Sequence, residues 1–106
     1  MSTLQRLEAT IAARMSAQAE TSYVASLNAK GIAAVAQKLG EEATEAVIAA
    51  VSGSANEVVS ESADLLFHLL VLLRAKGLSF DDVIAELERR EGVSGIAEKA
   101  SRNLKE

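Results

Sequence analysis

The stretch Glu61-Ser62-Ala63-Asp64-Leu65-Leu66-Phe67-His68-Leu69-Leu70-Val71-Leu72-Leu73 sets an acid and the chain's single histidine inside an almost unbroken apolar run. At helical spacing Glu61, Asp64 and His68 fall within an arc of about 60°, while the leucines cover much of the remaining circumference. The segment is therefore a helix that seeks burial on most sides and carries one polar stripe. A buried, isolated carboxylate costs several kcal/mol, so Asp64 is expected to face a cation, a hydrogen-bond partner or a wet cleft.

Working outward, Gly53 is placed to end a preceding helix, and Ser54-Ala55-Asn56-Glu57 has the spacing of a capping box that starts this one. The preceding helix is expected from about Ile32 to Val51, with Gly40 as an internal cost of about 1 kcal/mol relative to alanine unless close packing requires it. Leu39, Ala43, Ala46, Val47 and Ala50 form its apolar side, and Lys38, Glu41, Glu42 and Glu45 its polar one. So short a connection makes the two helices an antiparallel hairpin. Glu45 then lies about 12 Å before the turn and Glu61 about 12 Å after it, which sets the two acidic stripes level.

Beyond this hairpin, Lys76-Gly77 ends the Glu61 helix, and Ser79 caps a further helix from Phe80 to about Glu91 that buries Val83, Ile84 and Leu87, with Leu78 and Val83 as a hydrophobic staple. At the N-terminus Thr3 can cap a helix with a Leu4, Leu7, Ile11, Met15 stripe that ends near Glu20. Thr21 to Gly31 reads mostly as loop or a single turn, with Tyr23 as an anchor. Ile96, Ala100 and Leu104 suggest a short helix in the tail. Alanine abundance, the lack of proline and recurrent 3.6-residue periodicity give an all-α, antiparallel bundle of four to five helices in one domain, residues 1–106. So short a chain has few helices with which to cover the Glu61–Leu73 helix, and a second subunit is expected to complete the core.

Composition narrows the chemistry. Without cysteine there is no disulfide framework, thiolate metal site or cysteine nucleophile. No segment has the form of a signal peptide, and the longest apolar run is far short of the roughly 20 residues of a membrane span, so a soluble cytoplasmic protein is expected. Few aromatics and no basic stripe argue against long nucleic acids as partners. The net charge is -4, and without Glu41, Glu42, Glu45, Glu61 and Asp64 the remainder is close to neutral, which fits a bound divalent cation.

Glu42 and Glu45 on one helix, and Glu61 and Asp64 on its partner, can converge between the two. An all-oxygen cluster repels itself unless cations occupy it, and Mg²⁺ or Mn²⁺ suits such donors. A di-iron bundle would supply Glu-x-x-His, but Leu65 stands three before His68. Glu41, Glu42 and Glu45 taken alone are as well explained by a solvated face paired with Lys38, and Glu61 by the start of a helix. Asp64, followed at once by Leu65-Leu66-Phe67, moves the balance towards a metal site. His68 reads as a supporting residue hydrogen-bonded near Asp64. Lys30, Lys38 and the tail cations read as solvated charges, with phosphate binding as the functional use.

Lys38-Leu39-Gly40-Glu41-Glu42-Ala43-Thr44-Glu45, followed by the Glu61–Leu73 stretch, resembles phosphoribosyl-ATP pyrophosphatase, a family of the all-α nucleotide pyrophosphatase superfamily. Ser22-Tyr23, Leu27, Lys30-Gly31 and the tail from Ser94 to Arg102 are similar to this family in particular, while Val24, Leu39 and Phe67 depart from its usual threonine, valine and tyrosine. The resemblance implies Mg²⁺-dependent hydrolysis of phosphoribosyl-ATP to phosphoribosyl-AMP and pyrophosphate, the second step of histidine biosynthesis, in a homodimer. It maps the metal ligands onto Glu42, Glu45, Glu61 and Asp64. On the chemistry of the reaction, Glu41 or Glu42 is expected to handle the attacking water, and Lys30, Lys38, Lys99 and Arg102 are the candidates for holding phosphates. Two other readings share features with it: a housecleaning nucleoside triphosphate pyrophosphatase, with the same ligands, and a non-catalytic helical dimerisation module.

Overall fold

The computed structural model describes residues 1–91, which form five helices: α1 (Thr3–Met15), α2 (Tyr23–Ala29), α3 (Ile32–Ser52), α4 (Ala55–Ala75) and α5 (Phe80–Arg90). No strand occurs among the described residues, as the all-α reading requires. The tail helix, Lys99 and Arg102 lie outside them.

The α3–α4 hairpin is the frame. Ser54 Oγ accepts from the Glu57 amide while the Glu57 carboxylate accepts from the Ser54 amide, so the capping box starts α4 where its spacing requires. At the far end of α4, Gly77 adopts φ +75° and the Leu78 amide donates to the Leu73 carbonyl. That bond closes the helix in a Schellman arrangement. Ser79 and Asp82 then make the capping box of α5. Ile11, Val24, Leu27, Val35, Leu70 and Val71 form the core, so α1 and α2 pack on one flank of the hairpin. A single long-range bond pins α5 to α1, in which the Phe80 amide donates to Glu8 Oε2 at 2.6 Å.

Several expectations are corrected. The cap of α1 is Ser2, not Thr3: Ser2 Oγ accepts from the Gln5 amide and Gln5 reciprocates, so the box sits one residue earlier. That helix stops at Met15 rather than near Glu20. The segment expected as loop contains α2, a seven-residue helix capped by the buried Ser22. So short a helix is marginal in isolation, and burial of Val24, Ala25 and Leu27 supplies what its propensity lacks. Helix α5 buries none of its residues fully: Phe80 packs against the core and Val83 is half-buried, but Ile84 and Leu87 are exposed, Leu87 by 53%. Gly40 has no heavy atom within 4 Å of where a Cβ would stand, so close packing is not what keeps it.

The faces of α3 also differ from the pattern. Its buried residues are Val35, Glu42 and Ala49, one every seven, whereas Val47 and Ala50 of the expected apolar side are exposed. Within one chain the seam against α4 therefore runs through an acid.

Candidate metal and phosphate site

Glu42 stands in the α3–α4 seam between Val35 and Ala49, at a position where hairpins of this kind place apolar side chains. Across from it α4 contributes Glu61 and, seven residues on, His68, which is also buried. Of the polar stripe inferred from the sequence, His68 is buried and Glu61 half-buried, whereas Asp64 is exposed.

Carboxylate oxygens of Glu42, Glu45 and Glu61 lie within 4.8 Å of one another. Glu42 Oε2 and Glu61 Oε2 are buried and have no hydrogen-bond partner. An unpaired buried carboxylate oxygen carries a desolvation cost that neighbouring negative charge increases. Two effects answer it here. Lys38 Nζ lies 3.3 Å from Glu42 Oε1 and 3.9 Å from Glu41 Oε1, and this pairing with Glu42 raises the lysine pKa. The Glu45 pKa is raised as well, first by hydrogen bonding to Glu42, then by the Glu42 charge, loss of water and Glu61. An all-oxygen donor set with unpaired, inward-facing oxygens fits a hard divalent ion.

The other candidate residues surround this trio without joining it. Asp64 is exposed and outside the three-carboxylate group; its charge acts on Tyr23, which places it towards the Tyr23 side of the site. Its side chain is exposed, so the burial from which its place beside the apolar run was argued is not found within one chain. Glu41 is half exposed and accepts from Gln37 Nε2 at 3.3 Å. Lys30 and Lys38 both line a cleft of about 300 Å³ between α2 and α3, together with Tyr23, Ser26, Gln37 and Glu41. Beyond it the surface continues past Gly40 and Thr44 to Glu45, and from Glu45 to Glu57 and Glu61. A continuous path thus leads from a cleft with two lysines to a cluster of carboxylates.

His68 is 6% exposed, and its Nδ1 lies 2.7 Å from the Asp64 carbonyl oxygen, the four-residue link that its supporting role called for. What sequence reasoning misses is its other nitrogen: Tyr23 Oη lies 2.8 Å from Nε2. The sequence marks Tyr23 as a loop anchor and as part of the family resemblance, without a partner, and does not single out Ser26 or Gln37. The available signal is Ser22, a capping residue directly before the chain's single tyrosine, with Val24 and Leu27 at helical spacing behind it.

Comparison with known proteins agrees with this geometry. A family model described as phosphoribosyl-ATP pyrophosphohydrolase matches residues 4–91, which takes in both acidic helices and the cleft. The phosphoribosyl-ATP pyrophosphatase of Erythrobacter litoralis is 67% identical over 102 residues, covering 96% of this chain and 98% of that protein. That of Novosphingobium aromaticivorans is 64% identical over 100 residues, covering 94% of each chain. A third, from Rhizorhabdus wittichii, is 63% identical over 100 residues and again covers 94% of each. Identity at this level along nearly the whole length leaves no room for a different fold, and the chain belongs to the phosphoribosyl-ATP pyrophosphohydrolase family.

Proposed function

We propose that the protein, as one domain spanning residues 1–106, hydrolyses phosphoribosyl-ATP to phosphoribosyl-AMP and pyrophosphate, the second step of histidine biosynthesis, as a cytoplasmic homodimer using Mg²⁺ or Mn²⁺. The observation that carries the reading is the Glu42–Glu45–Glu61 cluster, with its two unpaired buried oxygens, beside a cleft that holds Lys30 and Lys38. Among the described residues no helix is long and apolar enough to cross a membrane, which suits a soluble biosynthetic enzyme.

The reaction needs a water oxygen to bond to the α-phosphorus while the bond from that phosphorus to the bridging oxygen breaks and pyrophosphate leaves. Glu42, Glu45 and Glu61, with Asp64 at the margin, would hold the divalent ion. When bound, the ion supplies positive charge to the phosphate oxygens. Glu41 or Glu42 would accept the proton of an incoming water; Glu41 is the half-exposed one of the two and Glu42 the buried one, and Lys38 lies nearer to Glu42. Lys38 and Lys30, which line the same cleft, would hold phosphate oxygens with their ammonium groups. Lys99 and Arg102 would add to the phosphate contacts from the tail.

The test is pyrophosphate release by the full chain with Mg²⁺, comparing phosphoribosyl-ATP with ordinary and damaged nucleoside triphosphates. Preference for phosphoribosyl-ATP, and its loss by about a hundredfold or more in Glu61→Gln, is expected. Preference for damaged triphosphates would point instead to a housecleaning enzyme. No Mg²⁺-dependent turnover of any of them, with Glu45→Gln tolerated, would leave a dimerisation module.

A further inference from the structure

His68 is buried in the hairpin seam, lines none of the clefts along α3, and has no task in the hydrolysis. Its bonding is nonetheless fully specified. The Asp64 carbonyl oxygen can only accept, so in the neutral ring Nδ1 carries the proton and Nε2 is the acceptor. Tyr23 Oη, 2.8 Å away, therefore donates to Nε2. The Tyr23 ring also stacks on Phe67, with centroids 6.4 Å apart and planes at 28°, so one side chain of α2 is held by two residues of α4.

This matters because of where α2 stands. Tyr23, Ser26 and Leu27 of α2, with Lys30 just after it, form one wall of the two-lysine cleft; Ala34, Gln37, Lys38 and Glu41 of α3 form the other. A seven-residue helix does not hold its own position. Val24 and Leu27 share the core with Leu70 and Val71 of α4, and the directional link from α2 to α4, which carries Glu61 and Asp64, is made by Tyr23. We propose that Tyr23 is a positioning residue that acts through His68: the Tyr23–His68–Asp64 carbonyl chain fixes the α2 wall of the cleft relative to the carboxylate cluster. A phosphate chain spanning both is thereby presented with its reacting phosphorus at the carboxylates. The inference rests on the hydrolysis reading above.

Steady-state pyrophosphate release from phosphoribosyl-ATP with Mg²⁺ tests it on the full chain, with Tyr23→Phe, His68→Leu and the double variant beside wild type. Tyr23→Phe keeps the ring on Phe67 and removes only the donor, so it should lower kcat/KM by about five- to tenfold, mostly through KM. If the two residues act as a unit, the double variant falls no further than the weaker single one. A purely structural role would lower the melting temperature and leave KM unchanged. An activity-independent readout is the ¹⁵N spectrum of the His68 ring near neutral pH, where wild type should show Nδ1–H with Nε2 as acceptor, and Tyr23→Phe should shift the Nε2 resonance. An Nε2–H tautomer in wild type, wild-type kinetics in Tyr23→Phe, or fully multiplicative losses in the double variant would each overturn the proposal. Absence of turnover in the wild-type chain would overturn the hydrolysis reading, and the proposal with it.

Discussion

Glu45 is the residue on which the state of the site depends most directly, because its pKa is raised by its bonding to Glu42, by the Glu42 charge, by lost water and by Glu61. A carboxyl whose folded pKa exceeds its unfolded value contributes stability in full below the ordinary glutamate range, about 4.3. That contribution is lost as pH rises through the elevated folded value. Without divalent ions the protein should therefore lose stability across that window, and Glu45→Gln should flatten the loss and raise the melting temperature at neutral pH. Added Mg²⁺ should restore wild type by about 2.7 kcal/mol at a hundred times its dissociation constant. Glu45→Gln should respond far less and lose turnover. Thermal melts across pH, with and without Mg²⁺, check both halves. Glu86 works in the opposite sense: bonding to Arg89 lowers its pKa, so its contribution is present above the ordinary range and fades as pH falls. Its window lies below the ordinary range and that of Glu45 above it, so the two are separable.

The elements are legible in the sequence to different degrees, and the reasons are local. Helices α3 and α4 follow from periodicity sustained over 21 residues each and from a serine-glutamate box at their junction. Helix α2 is not legible, because tyrosine, valine and serine are indifferent helix formers and its stability comes from Val24, Ala25 and Leu27 packing into the core. The convergence of Glu42, Glu45 and Glu61 can be read from the hairpin geometry, although the same reading puts Asp64 with them and the structure does not. The Tyr23–His68 bond joins residues 45 apart in the chain and cannot be read so. The join between α2 and α3 gives the prediction at this scale. Gly31 precedes α3 with φ +97° and ψ 169°, a region open essentially to glycine alone. No heavy atom lies within 4 Å of where its Cβ would stand, so Gly31→Ala meets backbone strain and not a clash. It should destabilise by about 1–3 kcal/mol. Because this residue is the hinge of the lysine cleft, KM for substrate should rise with little change in kcat. Ser22→Ala, which removes the cap from α2, should cost about 1 kcal/mol and move KM the same way. Denaturant melts paired with kinetics check both; an equal loss of stability with unchanged KM would detach the cleft from the position of α2.

At the scale of the molecule, what the described residues leave uncovered is as informative as what they bury. Val47, Ile48 and Val51 on α3 and Val59 and Leu66 on α4 are 62%, 57%, 83%, 70% and 41% exposed. On α3 the first three follow one another at helical spacing, and on α4 Val59 and Leu66 are seven apart, so each helix presents a stripe and not isolated residues. Contiguous exposed apolar surface of this kind marks an interaction face, and a symmetric pair of hairpins is the simplest way to cover it. The same stripe explains the gap between sequence and fold on α3, where Val47 and Ala50 have the pattern of buried residues yet face outward in one chain. Glu45 lies two residues before Val47, so the exposed apolar face and the carboxylate cluster share a helix segment, and covering one should order the other. Replacing Val51 and Val59 with lysine should convert a dimer to a monomer in analytical ultracentrifugation and lower the melting temperature. It should also reduce pyrophosphate release at enzyme concentrations where wild type stays dimeric. Retention of both mass and activity would mean that this stripe is not the interface, and the exposed apolar face of α5 around Leu87 would be the next to test.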